Sequence, residues 1–265
     1  MNCSRNAGRQ ACNAGLTACA TEVVQAARPV DCRLMQANSL RYVFPMVQTL
    51  RYQFFYRRRL PHWQPPGAAF FITFRLHGSL PRHVLEQLLG ERDSVERRLR
   101  QIQDPTLRAV ETYREERRFF GKWDVALHTA DEGPRWLENP RIASIVDESL
   151  RYCDGKVYDL LAFCIMPNHV HLVCSPLERT PGDYFPLSAI LHSLKGYTAR
   201  RANQVLSRTG PFWQPESYDH VVRDERELVR IVRYVQNNPV VAGFVQDWQE
   251  WPWTYVKEEF SELFP

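Results

Sequence analysis

No stretch of this 265-residue chain stays apolar for anything near the ~20 residues that a membrane-spanning helix requires. Glycine is sparse, at 12 residues, and nowhere forms a phosphate-cradling loop or a dinucleotide-binding turn, so no nucleotide cofactor is expected. No internal repeat and no Ser-His-Asp signature is present. The seven cysteines are odd in number and match no zinc-knuckle or ribbon spacing; four crowd into the first 32 residues, and Cys153, Cys164 and Cys174 lie in or beside apolar runs as small hydrophobes would. A reducing cytoplasm without disulfides is the reading. Leu16-Thr17-Ala18-Cys19 superficially resembles a lipoprotein cleavage site, but the preceding residues are too polar for a signal peptide.

Negative charge is missing from one region altogether. Between Cys32 and Leu85 there is no Asp or Glu, yet eight arginines occur there, including Arg57, Arg58 and Arg59. The net charge of +4 hides this asymmetry, and a segment so one-sided calls for a polyanion such as a phosphate backbone. With only four lysines in the chain, a coding bias accounts for arginine over lysine but not for the missing carboxylates.

What is present divides the chain in four. Residues 1–45 show no periodicity and read as a disordered or wrongly assigned N-terminal extension, with Met35 and Met46 equally good starts. Residues 46–66 interleave arginine with Tyr52, Phe54, Phe55, Tyr56 and Trp63, a mixture that suits single-stranded nucleic acid or, equally, an edge whose rings pack on the domain. Residues 67–240 form a single domain, and a Trp-rich tail, 241–265, packs over its surface. Within the domain a β-forming run, Ala69 to Leu76, precedes one long and one shorter helix over residues 82 to about 120, broken at Asp104-Pro105. A third helix spans about Asn139 to Tyr152. Then come a strand pair, a basic helix from Leu187 to Leu206, a short strand at Tyr218–Val222, and a helix capped by Asp224 and ended by Asn237-Asn238-Pro239. The order predicts an α+β fold, a ferredoxin-like antiparallel sheet with helices packed on it and a helical insertion after the first strand.

Inside the strand pair, His169 and His171 stand two residues apart in an apolar run. In a strand both imidazoles project from one face, which makes half of a divalent-metal site or, more commonly for a lone pair, a hydrogen-bonded core wall. Tyr197 lies on the basic helix beside Lys195, Arg200 and Arg201, which no nearby carboxylate offsets. A tyrosine can serve as a covalent nucleophile, although a packed tyrosine is the commoner case.

Five motifs in order, Met166-Pro167-Asn168-His169-Val170-His171-Leu172, Ser193–Arg201, Phe212-Trp213-Gln214, Tyr218-Asp219-His220-Val221 and Tyr234–Val240, together resemble the single-tyrosine HUH transposases, specifically their REP-associated (IS200-like) branch. The likeness covers about residues 60 to 255. It implies the HUH endonuclease fold, with His169 and His171 holding Mg²⁺ or Mn²⁺ and Tyr197 attacking a phosphate in hairpin-forming, REP-like single-stranded DNA. A 5′-phosphotyrosine link and a free 3′-hydroxyl would follow, and a second strand's 3′-hydroxyl would reverse the step, without ATP. Lys195, Arg200, Arg201 and Arg57–Arg59 would hold DNA, and the protein, a monomer or homodimer, would work in the cytoplasm on the nucleoid. In related transposases an amide one turn after the tyrosine completes the metal shell; here that position is Arg201, so Gln204 or Asn203 would have to substitute, with His220 a further possible ligand. The alternatives are a domesticated hairpin-binding protein without catalysis and a metal-dependent hydrolase of small phosphoesters.

Overall fold

The protein is described by a computed structural model over residues 64–130 and 132–261. Alternation in two runs sets its central sheet. In β1 (Phe70–Arg75), Phe70, Ile72 and Phe74 face one side and Phe71 and Thr73 the other. The β3 strand (His169–Pro176) divides likewise, with Val170, Leu172 and Cys174 on the first side and His169, His171 and Val173 on the second. The two pair antiparallel with Thr73 opposite His171 and Arg75 opposite His169. Every residue in both is buried, so the sheet is covered on both faces.

A turn at Pro167-Asn168 joins β3 to β2 (Tyr158–Ile165), where an irregularity between Leu160 and Ala162 keeps Leu160, Phe163 and Ile165 on the first face and Ala162 and Cys164 on the second. A small ribbon, β4 (Glu178–Thr180) with β5 (Asp183–Tyr184), follows β3. Strands β6 (Tyr218–Val221) and β7 (Thr254–Val256) complete an all-antiparallel sheet of order β6-β1-β3-β2-β7. Its first four members have the strand order of a ferredoxin-like fold, with one helix crossing over between β1 and β2 and another between β3 and β6.

Those crossover helices cover the first face. The later insertion helix and the last long helix cover the second. The insertion comprises α1 (Arg82–Arg100) and α2 (Pro105–His128). The crossovers are α3 (Pro140–Cys153) and α4 (Leu187–Val205); Ile142, Val146 and Leu150 of α3 and Leu187, Ile190 and Leu194 of α4 share one apolar cluster with Phe70, Ile72 and Phe74. On the other face, Leu228, Val232 and Val235 of α5 (Glu225–Val241) pack on Ala69, Phe71 and Val173, joined by Phe120 from α2. A side chain of this size contributes about 1.5–3 kcal/mol when fully buried. Local chemistry sets the helix starts: Asn139 accepts the amide of Arg141 ahead of α3, Asp104 those of Thr106 and Leu107 ahead of α2, and Asp224 that of Glu227 ahead of α5.

Three features differ from the sequence reading. The second insertion helix is the longer one, running to His128. The α5 helix passes through Asn238-Pro239 to Val241, because proline removes only its own bond to the carbonyl four residues back; Gly243, at φ 75°, lies just beyond the end. The tail does more than cover the surface: β7 pairs with the edge of β2, the Trp251 indole donates to the Ile165 carbonyl, and a short α6 (Glu258–Ser261) follows.

A buried polar knot ties the two second-face helices together. Glu227 of α5 accepts from the Tyr113 hydroxyl of α2 at 2.6 Å and from Arg223 at 3.1 Å, and lies 3.2 Å from His220 Nε2 of β6. Burial alone would raise its carboxyl, but the contacts with His220, Arg223 and Tyr113 outweigh burial and hold it below the usual carboxylate range. A depressed folded pKa means that this stabilisation is present above the ordinary carboxylate pKa and is lost as pH falls through the acid range. Glu227→Ala should therefore lower the unfolding free energy by about 3 kcal/mol at pH 7 and by much less near pH 3, measured by urea denaturation; an equal loss at both pH values would show that the carboxylate charge does not matter.

Candidate active site

The strand alternation delivers His169 and His171 to the second face, fully buried. Each ring is held from behind. His169 Nδ1 lies 2.7 Å from Asn168 Oδ1; the same amide's nitrogen donates to the Leu127 carbonyl, so the oxygen is an acceptor and His169 Nδ1 carries the proton. That leaves His169 Nε2 as a lone pair. His171 Nδ1 meets the Thr73 hydroxyl at 2.8 Å, a partner able to take either role. The two Nε2 atoms face each other at 3.1 Å.

Opposite them stands a carboxylate from the insertion. Asp124 Oδ1 lies 3.2 Å from His171 Nε2 and 3.9 Å from His169 Nε2, and His128, one turn further along α2, brings Nδ1 to 3.6 Å from Asp124 Oδ2. One donor atom from each of Asp124, His128, His169 and His171 falls within 4.8 Å of all the others. Burial works to raise the Asp124 carboxyl, but His171, His169 and His128 together hold it well below its ordinary value. Burial first, and then the neighbouring His171, push His169 well down, so its imidazole stays neutral.

The last long helix closes the site. The Tyr234 ring of α5 sits 5.5 Å from His171, edge to face, and packs against Phe71 and Phe120. Asn238, four residues on and thus on the same helical face, places Oδ1 3.1 Å from His128 Nε2. Burial and then the Asp124 charge raise the Tyr234 phenol, while Asn238 works the other way. Asp124 Oδ1, Tyr234 Oη and Asn238 Nδ2 are all buried without a well-formed hydrogen bond inside the protein. Three orphaned polar atoms around two facing imidazole Nε2 atoms fit a divalent cation, which a carboxylate and imidazoles together can ligate.

The expected site residues separate on the structure. His169 and His171 lie together, as the His-x-His spacing implied. Tyr197 does not join them: it is buried on α4, whose Leu194 and Leu191 pack on the opposite face of the sheet. Gln204 does not join them either; it is exposed near the end of α4 and accepts from Arg201. The reason is the two-residue strand period, which turns His169 and His171 away from α4. Lys195 directs its ammonium to the carbonyls of Gln214 and Pro215 and to Ser217, steadying that loop, while Arg200 is exposed. His220 lies against Glu227, outside the four-residue cluster. Arg57, Arg58 and Arg59 lie outside the described residues. Sequence reasoning missed Asp124, His128, Tyr234 and Asn238. The signal was two i,i+4 pairs, Asp124/His128 and Tyr234/Asn238, each putting two polar functions on one helical face.

Residues 137–238 match the family model described as IS200-like transposase. A Haemophilus influenzae protein provisionally named a REP-associated tyrosine transposase is 26% identical over 120 residues, spanning 43% of this chain and 68% of the relative. The REP-associated tyrosine transposase of Escherichia coli K12 is 24% identical over 111 residues, 42% of this chain and 62% of that protein. A solved structure of a REP-associated tyrosine transposase bound to a REP hairpin aligns with a TM-score of 0.43 at 14% identity, covering 75% of this chain and 82% of the other. The paired histidines thus lie within a stretch that is similar to IS200-like transposases. The curated relatives that the chain resembles include REP-associated tyrosine transposases. No helix among the described residues is long and apolar enough to cross a membrane.

If Asp124 and the histidines form one cation site, Mn²⁺ should raise the melting temperature in a saturable way, at one equivalent by calorimetry. Asp124→Asn should weaken that binding at least about tenfold. Unchanged Mn²⁺ affinity in the variant would place the cation elsewhere.

Proposed function

We propose that this chain is a DNA strand transferase in which Tyr234, not Tyr197, is the nucleophile, acting on hairpin-forming, REP-like single-stranded DNA. The observation that carries the reading is the convergence of a tyrosine, an amide and a buried carboxylate on two facing imidazole nitrogens. His169, His171 and Asp124 would hold the cation, with His128 or Asn238 completing the shell; Asn238 stands one turn after Tyr234, the place where related transposases carry an amide ligand. Mn²⁺ suits this set better than Mg²⁺, which prefers oxygen donors. When bound, the cation polarises a non-bridging phosphate oxygen and carries charge that develops in the transition state.

The protein's own part is positioning and proton control. Asn168 fixes the His169 tautomer so that its Nε2 lone pair faces the site, and Thr73 holds the His171 ring in place. Phe71 and Phe120 meet the Tyr234 ring edge to face and keep it packed beside His171, with its hydroxyl buried. A phenol whose pKa is raised by burial and by Asp124 is a poor nucleophile, and neutralising Asp124 is what would lower it. As the Tyr234 Oη–phosphorus bond forms, the bond from phosphorus to the 3′ oxygen breaks. The phenol loses a proton and the departing 3′ oxygen gains one. The 5′-phosphotyrosine link conserves the phosphodiester, so a second 3′-hydroxyl can reverse the step without an external energy source.

The test is adduct formation on labelled hairpin oligonucleotides from the DNA flanking the gene, in Mn²⁺, resolved on denaturing gels. Tyr234→Phe should reduce the covalent band at least a thousandfold while hairpin binding stays within about threefold, and Tyr197→Phe should keep the band. A band that survives Tyr234→Phe and vanishes with Tyr197→Phe would overturn the assignment.

A further inference from the structure

Beside the metal site, the insertion helices and the loop after α4 enclose a second recess of about 660 Å³ including its open mouth. Its walls are aromatic, from Phe119, Phe120 and Trp123 of α2, and its floor is Arg75. The recess is contiguous with the catalytic centre: Thr73, which orients His171, lines it, and the Phe120 ring lies 6.3 Å from His171. Arg75 pairs across the sheet with His169.

Arg75 is an odd residue to find there. Its side chain is buried, yet among the described residues its one hydrogen-bond acceptor is the Ser79 hydroxyl at 3.2 Å, and its guanidinium otherwise lies over the Trp123 ring at 5.4 Å. A guanidinium offers five N–H donors, and none of the Arg75 nitrogens is both buried and unpartnered, so those that Ser79 does not answer open onto the recess, where a ligand could supply acceptors. Burial lowers its pKa to about 10, only partly offset by Glu216 at the recess mouth, so it stays charged at neutral pH. Flat aromatic walls call for a flat ring, and stacking on such walls is how unpaired bases are held. The Glu216 carboxylate disfavours a second phosphate and accepts from a ring N–H or amino group.

We infer that the recess takes one unpaired base of the single strand next to the cleaved phosphate and selects guanine, whose O6 and N7 would accept from Arg75 while Glu216 accepts from its Watson–Crick edge. The inference rests on the reading of the neighbouring site as a cleavage centre for single-stranded DNA, and it assigns that centre a specificity element built from the insertion. Arg75 and Trp123 thereby determine which phosphate is cut rather than how it is cut.

The experiment uses the full chain and hairpin oligonucleotides with randomised single-stranded arms, sequencing the DNA that becomes covalently attached in Mn²⁺. The wild type should enrich guanine about tenfold or more at one position adjacent to the cleaved phosphate. Arg75→Gln should cut that preference to about twofold or less at that position alone. Because Arg75 is buried, melting curves accompany it, and the exposed Glu216→Gln provides a second variant that should shift the same preference without a change in melting. Adducts with no base preference beside the cut, or a preference that both variants leave intact, would overturn the inference while leaving the cleavage reading standing. If no sequence forms an adduct, the cleavage reading fails, and the recess is judged by equilibrium binding of free dGMP, dAMP, dCMP and dTMP. Preference for dGMP that Arg75→Gln removes would support it, and equal binding of all four would overturn it.

Discussion

A buried carboxylate set among imidazoles is the interaction on which the rest of the site depends. Asp124 alone at this depth would be driven to protonate, and His169 alone is driven to stay neutral. Together they make a small volume of high negative potential lined with lone pairs, a place that water serves poorly and a divalent cation serves well. The fold then has two tasks, to bring α2 to the sheet and to bring α5 beside it. Phe120 does the first through the second-face apolar cluster, and Glu227 does the second by joining Tyr113 of α2, His220 of β6 and Arg223 in one knot. The helices that supply Asp124, His128, Tyr234 and Asn238 are thus fastened to each other and to the strand next to β1.

Much of this architecture was legible from residues alone, for stated physical reasons. The runs at Phe70–Arg75 and His169–Pro176 alternate, and alternation in two covered strands leaves little freedom of register. Asn139-Pro140 and Asp104-Pro105 are helix starts that read the same in sequence and in structure. The strand order followed from element order and the ferredoxin-like closure. Pro239 misled because a proline near a helix's last turn reads as a stop, whereas the helix tolerates one missing bond and the chain reaches Gly243 before it turns away. Stopping the helix there hid the fact that Tyr234 and Asn238 share a face.

The structure separates Tyr197 from the paired histidines, and the cause is geometric. Tyr197 stands on a basic helix after the histidine strand, so charge and order both favour it. Neither reports which side of the sheet a crossover helix covers. The apolar residues of α4 meet Phe70, Ile72 and Phe74, so α4 must lie opposite residues 169 and 171. Asp124 was hidden for another reason: in a helix carrying many acidic and basic residues, one more carboxylate has no distinguishing local signal until the helix is placed against the sheet. The insertion belongs to the candidate site, bringing the Asp124 carboxylate and the His128 imidazole beside the paired histidines and the aromatic walls of the recess next to them.

The most direct test of the account is to trap the covalent complex on a cleavable hairpin, digest protein and DNA, and locate the nucleotide by mass spectrometry. The account predicts a nucleotide-modified peptide containing Tyr234, with the Tyr197 peptide recovered unmodified. Modification of Tyr197 would contradict it.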